Sequence, residues 1–465
     1  MQGICLRAYP TSAQKNILSQ WMGCARTVWN AKCDDERYMT RFALKSCPLG
    51  TYAPVDQTYA QYKNKELTPW LFECPSQVLR NAAAHWYQTY RNFITGLCGK
   101  PKRKKKTDKG SVLLTAELFE FKENAYGQLE LWIGTKKHPV GLLRLKQHRS
   151  FKRPRSLRIK RELGVYFVSF CYQEQEALVQ DQSTSLEQLA FLKQQSLEYL
   201  QAHTVAIDRG VVIAAQTSTT SYDLTPRQLA KKLAKQSYLK QQQRKLAKQP
   251  KGSNRRKTTV HNIGKAHQKI RNIRDNFCHQ TSHAIVSNPE TKVIIIEDLK
   301  TRNMTQSAKG DNEKPGKNVS AKAGLNSAIV DKGWHRLETY LGYKAKKYGK
   351  SLFKVSAAYT SQECADCGHI HPENRKTQAE FVCVHCGYTA HADRNAADVI
   401  KKRAITFILH SGTELSAKGV LVPPRPQVDT GRGERSKTSL GQAQSAVLNE
   451  TSKKKVKRQH TVAVA

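Results

Sequence analysis

Apolar positions recur at two different periods along this chain, and the change of period divides it into regions. Ile17, Leu18, Trp21, Ala25, Val28 and Trp29 fall on one helical face, while Arg26 and Asn30 lie off it. Thr11-Ser-Ala-Gln14 has the form of a capping box, so a helix is predicted to start there, after a short extended piece at Leu6 to Pro10. A second helix is predicted after Cys74-Pro75-Ser76, with Val78, Leu79, Ala82, Trp86, Tyr90, Phe93 and Ile94 on one side as core. Residues 34–73 show no clean period and read as helical hairpin or loop.

Between residues 111 and 175 the period shortens. Val112 to Phe119, Leu129 to Ile133, Val140 to Leu145, Leu157 to Lys160 and Val165 to Tyr172 are short β-like runs broken by turn residues, for which a small antiparallel barrel is the natural closure. Its outward positions carry Lys146, Arg149, Lys152, Arg153, Arg155, Arg158 and Lys160, which suits a nucleic-acid platform. Residues 176–202 read as a partly helical connector. Two apolar strands then each end in acid: Thr204-Val-Ala-Ile-Asp208 and Lys292-Val-Ile-Ile-Ile-Glu297. The second is apolar throughout, as for a central strand buried on both faces. Long basic helices with thin apolar stripes lie between them, across residues 231–269. A polar loop at 301–323, an amphipathic helix from Trp334, a strand at Leu352 to Val355 and a helix from Asp393 toward Phe407 complete the pattern.

Charge changes this picture more than composition does. Against 78 Lys and Arg stand 37 Asp and Glu, a formal net charge of +41 spread over most of the 465 residues, and a polyanion is the economical partner. The run GKPKRKKKTDK at 99–109 is read as a phosphate contact rather than a plain linker. No stretch approaches 18 apolar residues and the start lacks a secretory apolar region, so an intracellular protein without membrane contact is expected. Of 12 cysteines, eight are scattered singly and read as reduced apolar side chains.

The other four carry chemistry. Cys364-x2-Cys367-x15-Cys383-x2-Cys386, with glycine after each pair, suits two knuckles curled around a tetrahedral ion, and a structural Zn2+ is expected. The intervening segment has too little core to fold without it. His369, His371, His385 and His391 read as bystanders or nucleic-acid contacts. Asp208, Glu297 and Asp393, separated by 88 and 95 residues, form a second constellation: two strand ends and a helix start. Alone, Asp393 would read as an N-cap. Together the three suit phosphodiester hydrolysis through two Mg2+ ions roughly 4 Å apart, the pattern of an RNase H-like nuclease.

Ala206-Ile-Asp208-Arg-Gly210, Ile296-Glu297-Asp298-Leu299, Tyr359-Thr-Ser-Gln-x-Cys364-x-x-Cys367-Gly-His369 and Ala392-Asp393-Arg-Asn-Ala-Ala397 resemble, in order and spacing, the RuvC-type motifs of the transposon-encoded TnpB (OrfB) family. Tyr9-Pro-Thr-x-x-Gln14, Gly23-Cys-Ala-Arg26-x-x-x-Asn30 and Cys74 to Leu79 resemble its opening, so the likeness spans nearly the whole chain. It implies an RNA-guided DNA endonuclease related to type V CRISPR effectors. The implied fold is multidomain α+β: a helical recognition lobe, a small antiparallel wedge β-barrel, and a RuvC α/β nuclease domain with an inserted zinc ribbon. The implied boundaries are a first wedge strand at 1–10, recognition domain at 11–110, barrel at 111–178, connector at 179–202, RuvC at 203–358, ribbon at 359–388, RuvC again at 389–411, and a disordered basic tail at 412–465. By motif, Asp208, Glu297 and Asp393 are the Mg2+-binding catalytic acids and the four cysteines the Zn2+ ligands. The implied partners are a guide RNA from the transposon end and double- and single-stranded target DNA. They would meet in a monomeric ribonucleoprotein acting at the nucleoid in a prokaryotic cytoplasm.

Two features depart from the family pattern. Arg209 stands where an apolar residue is common, and strand alternation points it away from the metals. The 176–202 connector is long. All three acids survive, which favours an active nuclease over a nuclease-inactive RNA-guided regulator, and a compact type V CRISPR effector would share the same motifs. Asp298 is the local competitor of Glu297.

Overall fold

The computed structural model describes residues 2–43, 57–106, 109–172, 184–310 and 316–424, which fall into two compact units. The first comprises residues 1–178 with 260–265, the second the remainder.

In the first unit, β1 (Gln2–Tyr9) leads into α1 (Ser12–Tyr38). Thr11 caps that helix: its hydroxyl accepts from the Gln14 amide while the Gln14 side chain accepts from the Thr11 amide. The apolar face is buried as the pattern predicts, with Leu18, Trp21 and Val28 at 0% exposure. A second helix, α2 (Ser76–Ile94), packs beside it, and two 3-10 turns at Ala60–Tyr62 and Pro69–Glu73 supply the only regular structure found between residues 57 and 75.

Six further strands follow: β2 (Lys109–Thr115), β3 (Phe119–Glu123), β4 (Leu129–Gly134), β5 (Pro139–Lys146), β6 (Ser156–Glu162) and β7 (Val165–Tyr172). They form one antiparallel sheet in the order β2-β6-β7-β1-β5-β4-β3, with the chain's first strand at its centre. The run from Val112 to Phe119 is not one strand, because a 3-10 turn at Ala116–Leu118 buries Leu118 and splits it. Among the described residues β2 and β3 are the two edges, so the pairing is that of an open sheet. Apolar side chains of the sheet, α1 and α2 share one core.

The second unit is built on three parallel strands, ordered β12-β11-β8: β8 (Thr204–Ile207), β11 (Val293–Glu297) and β12 (Ser351–Val355). The helices α3 (Ser185–Lys193), α4 (Leu197–His203), α5 (Pro226–Ala247), α6 (Asn254–Ser287, of which 260–265 belong to the first unit), α7 (Val319–Lys332), α8 (Trp334–Lys347) and α9 (Ala392–Leu409) accompany them. All five residues of β11 are buried. Val293 and Ile295 point into a core with Leu189, Leu192, Leu200, Ile400 and Ala404, while Ile294 and Ile296 point into another with Phe277, Ile285, Leu337 and Leu341. Helices thus cover both faces, as a continuously apolar strand requires. Each isoleucine so buried contributes about 1.5–3 kcal/mol.

Three expectations change here. The stretch read as a connector is part of the domain: α3 and α4 are capped by Thr184 and Ser196 and lay Leu189, Leu192 and Leu200 on the sheet. Helix α7 begins inside the stretch read as polar loop, at Val319, and runs on to Lys332, with a single buried side chain, Ile329, that gives almost no periodic signal. The tail does not begin at 412. Residues 414–422 form a hairpin of β15 (Glu414–Leu415) and β16 (Leu421–Val422), and Leu421, only 2% exposed, joins the core. The remainder of the expected tail, 425–465, lies outside the described residues. Among the described residues no helix is long and apolar enough to cross a membrane.

Candidate nuclease and metal site

The two acid-bearing strands run parallel with Ile207 opposite Ile296, so Asp208 and Glu297 leave adjacent strands at the same level. There the strands part. Asp208 turns away to exchange both backbone hydrogen bonds with Gln216, at 2.8 Å each, on the small hairpin β9 (Ala215–Gln216) and β10 (Ser221–Tyr222). Gly210 follows because a Cβ there would lie 2.6 Å from the Ile213 carbonyl oxygen and 3.8 Å from Asp393 Oδ2. The same proximity brings the third acid to the first.

Asp393 enters from α9, whose buried residues Ala396, Ala397, Val399 and Ile400 fix the helix against the sheet. It is not the N-cap. His391 holds that position and its ring Nδ1 accepts from the Asp393 amide at 3.3 Å, so His391, read from sequence as a bystander or nucleic-acid contact, sets the helix start. Asp393 is 4% exposed and Glu297 5%. Asp298, the local competitor of Glu297, has Oδ1 4.0 Å from Lys354 Nζ.

The electrostatics are those of crowded acids. Burial and then the charges of Glu297 and Asp393 push the Asp208 carboxyl up to about 8, against the pull of Arg375 and Arg209. Burial also raises Glu297, partly offset by the Thr360 hydroxyl, which donates to Glu297 Oε1 at 2.6 Å. Three guanidinium groups, of Arg209, Arg375 and Arg403, act on these carboxylates, but Arg209 is paired with Glu338 and Arg403 with Glu363, so the acids remain short of cationic charge, which is the condition a hard divalent cation with oxygen ligands satisfies. The acids stand further apart than the thiols do: among the described residues only the four cysteines have ligand atoms all within 4.8 Å of one another.

Sequence reasoning missed Thr360 and Arg375. Thr360 is buried, 63 residues from the acid it serves, and Arg375 holds Asp393 Oδ1 at 3.2 Å from the loop between the two cysteine pairs. A hydroxyl beside the Tyr359-Thr-Ser motif was in view, but no local spacing announces either contact.

The cysteine cluster is local by contrast. Cys364 Sγ lies 3.7 Å from Cys386 Sγ, and Cys367 Sγ 3.6 Å from Cys383 Sγ. For metal–sulfur bonds of about 2.3 Å a tetrahedral edge is about 3.8 Å, so the donor set fits a tetrahedral ion. Burial opposes ionisation of Cys383, but amides of Cys386 and His385 aimed at its sulfur pull the thiol down to about 7. Fully buried Asn374 joins the knuckles, its amide donating to the Gln362 and His369 carbonyls while its oxygen accepts from the Val384 amide at 2.9 Å. The strands β13 (Glu380–Val382) and β14 (Thr389–His391) close the segment.

This segment is tied to the acids. β14 runs directly into α9, and Asn395, also fully buried, accepts from the Ala365 amide at 2.9 Å and donates to the Glu363 carbonyl at 2.8 Å. Lys402 Nζ donates to the Asp366 carbonyl at 2.8 Å. Both the first knuckle and the Arg375 loop therefore bear on the helix that carries Asp393. The basic run at 99–109 is more committed than a free phosphate contact would be: Lys100 pairs with Glu36, Arg103 with Asp34, and Lys104 Nζ sits 3.2 Å from the Trp29 ring centroid.

Three protein families match. Residues 334–400 match the family described as "Cas12f1-like, TNB domain", 189–308 that described as "Probable transposase" and 1–32 that described as "Helix-turn-helix domain". In this chain the last region is β1 followed by one unbroken helix. The "Putative RNA-guided DNA endonuclease InsQ" of Escherichia coli (strain K12) is 29% identical over 398 residues, 85% of this chain and 90% of that protein. A "Putative RNA-guided DNA endonuclease" of Streptomyces pristinaespiralis is 26% identical over 433 residues, 92% of this chain and 93% of that one. Among solved structures, a chain of the "Cryo-EM structure of the Cas12f1-sgRNA-target DNA complex" shares the fold, with a TM-score of 0.50 over 84% of this chain and 82% of that chain at 12% identity.

Proposed function

This chain is a member of the TnpB (OrfB) family, related to the type V effectors, and from that premise we propose that it is a transposon-encoded RNA-guided DNA endonuclease. The observation that carries the proposal is the convergence of Asp208, Glu297 and Asp393, from three distant segments, at one end of the parallel sheet. In this reading the second unit is a RuvC nuclease domain, residues 359–388 its zinc ribbon, the open seven-stranded sheet the wedge domain and α1 with α2 the recognition lobe. The partners are a guide RNA from the transposon end and target DNA, in a monomeric ribonucleoprotein of the prokaryotic cytoplasm. A CRISPR effector or a nuclease-inactive regulator is not favoured, since the full-length relatives are the endonucleases and no acid is lost.

The chain's residues divide the work. Asp208, Glu297 and Asp393 would hold Mg2+, with Thr360 orienting Glu297 and Arg375 holding Asp393 beside the scissile phosphate's negative charge. When bound, Mg2+ supplies Lewis-acid stabilisation of the charge that develops on the phosphodiester oxygens. The four cysteines would hold Zn2+, whose binding contributes about 10–16 kcal/mol to folding a segment that buries little of its own. The net charge of +41 holds the nucleic acids.

The test is to purify the protein from cells carrying its native flanking DNA, sequence the RNA that copurifies, and challenge the complex with DNA matched or mismatched to that RNA in Mg2+. Cleavage of matched DNA alone is expected. Cleavage independent of the RNA, or none at all with intact RNA and DNA binding, would refute the reading.

A further inference from the structure

We propose that Arg209 and Glu338 form a positioning brace for the acid cluster, one that spans the three strands of the sheet where they part to make the site. The proposal rests on the nuclease reading above. Arg209 Nη1 donates to Glu338 Oε2 at 3.0 Å, and its Nη2 donates to the main-chain carbonyl of Glu297. The other oxygen of Glu338 accepts from Lys354 Nζ at 2.6 Å. Arg209 follows β8, Glu297 ends β11 and Lys354 lies in β12, so one carboxylate on α8 ties both outer strands while the guanidinium holds the central one.

The location explains why a charged brace stands there. In the parallel pairing of β8 with β11 the last partners are Ile207 and Ile296, and beyond them Asp208 pairs with Gln216 instead. The Glu297 carbonyl thereby loses the ladder partner that a continuing β8 would give it, and a buried unpaired carbonyl is costly. Arg209 supplies the missing donor from a side chain only 1% exposed. Two more donors hold the same loop to the α7–α8 segment: Trp334 Nε1 to the Gly210 carbonyl at 3.3 Å and Lys332 Nζ to the Val212 carbonyl at 2.6 Å. Shifting α8 would therefore shift the backbone on both sides of Asp208 and Glu297 together. Arg209 Nε has no hydrogen-bond partner, as expected of a guanidinium placed for the gap rather than for a bidentate pair, since Lys354 takes the second Glu338 oxygen.

The experiment compares Arg209→Met, Arg209→Lys and Glu338→Gln with the unmodified full chain. Three quantities are read: melting temperature, Mn2+ affinity of the guide-free protein by electron paramagnetic resonance, and single-turnover cleavage by the guided complex. Arg209→Met is expected to weaken Mn2+ binding about 10-fold and slow cleavage by up to about 100-fold, with matched-DNA binding unchanged. Arg209→Lys, which keeps one contact but cannot span to both, and Glu338→Gln should fall between. A role in stability alone would lower the melting temperature while folded protein bound Mn2+ and cut as before, and that result overturns the proposal. Should Arg209→Met not fold, unmodified Mn2+ affinity in both Arg209→Lys and Glu338→Gln overturns it equally. The Mn2+ titration needs no guide, so wild-type protein that binds Mn2+ at a site abolished by Asp208→Ala yet cuts no guided target would count against the nuclease reading and leave the brace to be decided by affinity.

Discussion

The cysteine cluster and the acid cluster meet on one helix but are assembled in opposite ways. The cysteines lie within 23 residues of sequence, and their sulfurs already stand at tetrahedral distances, held by knuckle amides and by Asn374. The acids come from a strand, a second strand 88 residues later and a helix 95 residues after that, and they repel one another in a buried setting. One site is defined by its own segment. The other is defined by everything that keeps three unwilling carboxylates together: Thr360, Arg209 with Glu338, Arg375, and the sheet itself. The lesson is that a ligand cluster can be local while the chemistry it supports is not.

The comparison breaks first at the acids. Asp208→Ala or Glu297→Ala should lower single-turnover cleavage by about 1,000-fold or more, the equivalent of several kcal/mol of lost charge stabilisation, while guided DNA binding stays close to wild type. Either variant cutting a matched target at the wild-type rate in Mg2+ would remove these residues from the site.

Next comes the join between the two clusters. Only the segment from Cys386 to Ala392 separates the second knuckle from α9, while Asn395 and Lys402 fasten the first knuckle to the same helix. Cys383→Ser or Cys386→Ser should therefore lose the bound metal and misplace Asp393 and Arg375 together. A shift of about 1 Å can slow a reaction about 100-fold, and that is the expected drop, with little change in guide-RNA binding. Metal content measured beside cleavage decides it, because metal-free protein cutting at full rate would make the knuckles an independent flap.

How much of this was legible follows the same division. The cysteine spacing, the two apolar strands ending in acid, the capping box at Thr11 and the β runs before residue 175 could be read because each is a local pattern whose period or spacing is its own evidence. Thr360, Arg375 and the Glu338 brace could not be, because a single threonine, arginine or glutamate gains its role from residues 63, 18 and 129 positions away. The same reason hid α7, which buries one side chain, and hairpin β15–β16, whose anchor is a lone leucine amid glycine, serine and lysine. Asp393 shows the intermediate case: its helix was visible, but the cap went to His391, two residues earlier, by a ring nitrogen no cap preference would choose first.

A smaller effect sharpens the contrast in stability rather than rate. With its carboxyl raised to about 8 against about 3.9 in an unfolded chain, Asp208 binds its proton more tightly when folded. Metal-free stability should be unaffected by Asp208 below about pH 4, fall as the pH rises from about 4 to about 8 while the unfolded chain alone ionises, and then level off. Asp208→Asn should flatten that slope and raise metal-free stability near pH 8 by about 1–3 kcal/mol, read by denaturant unfolding. An unchanged pH profile in Asp208→Asn would show that the acids are not strained.

The smallest effect is expected from removing the chain's last residues alone, and two truncations separate fold from tail. Stopping after Ser411 removes β15 and β16, takes Leu421 out of the core it shares with Ile400 and Ala404, and deprives Lys193 Nζ of the Thr413 carbonyl it meets at 2.8 Å. Loss of that one buried leucine alone is worth about 1.5–3 kcal/mol of stability, and because α9 lines the same core, the loss reaches the helix that carries Asp393. Stopping after Pro424 leaves all of these contacts in place. It removes residues whose composition is rich in Ser, Gly, Gln and Lys, including the basic run Lys453 to Arg458. Such a run adds sequence-independent attraction for RNA that salt screens, so the shorter protein should bind RNA more weakly at low ionic strength, with the difference closing as salt rises. Its melting temperature and single-turnover cleavage should match those of the whole chain. Cleavage lost on stopping after Pro424, at low and physiological salt alike, would mean that the last 41 residues act on one of the two clusters directly.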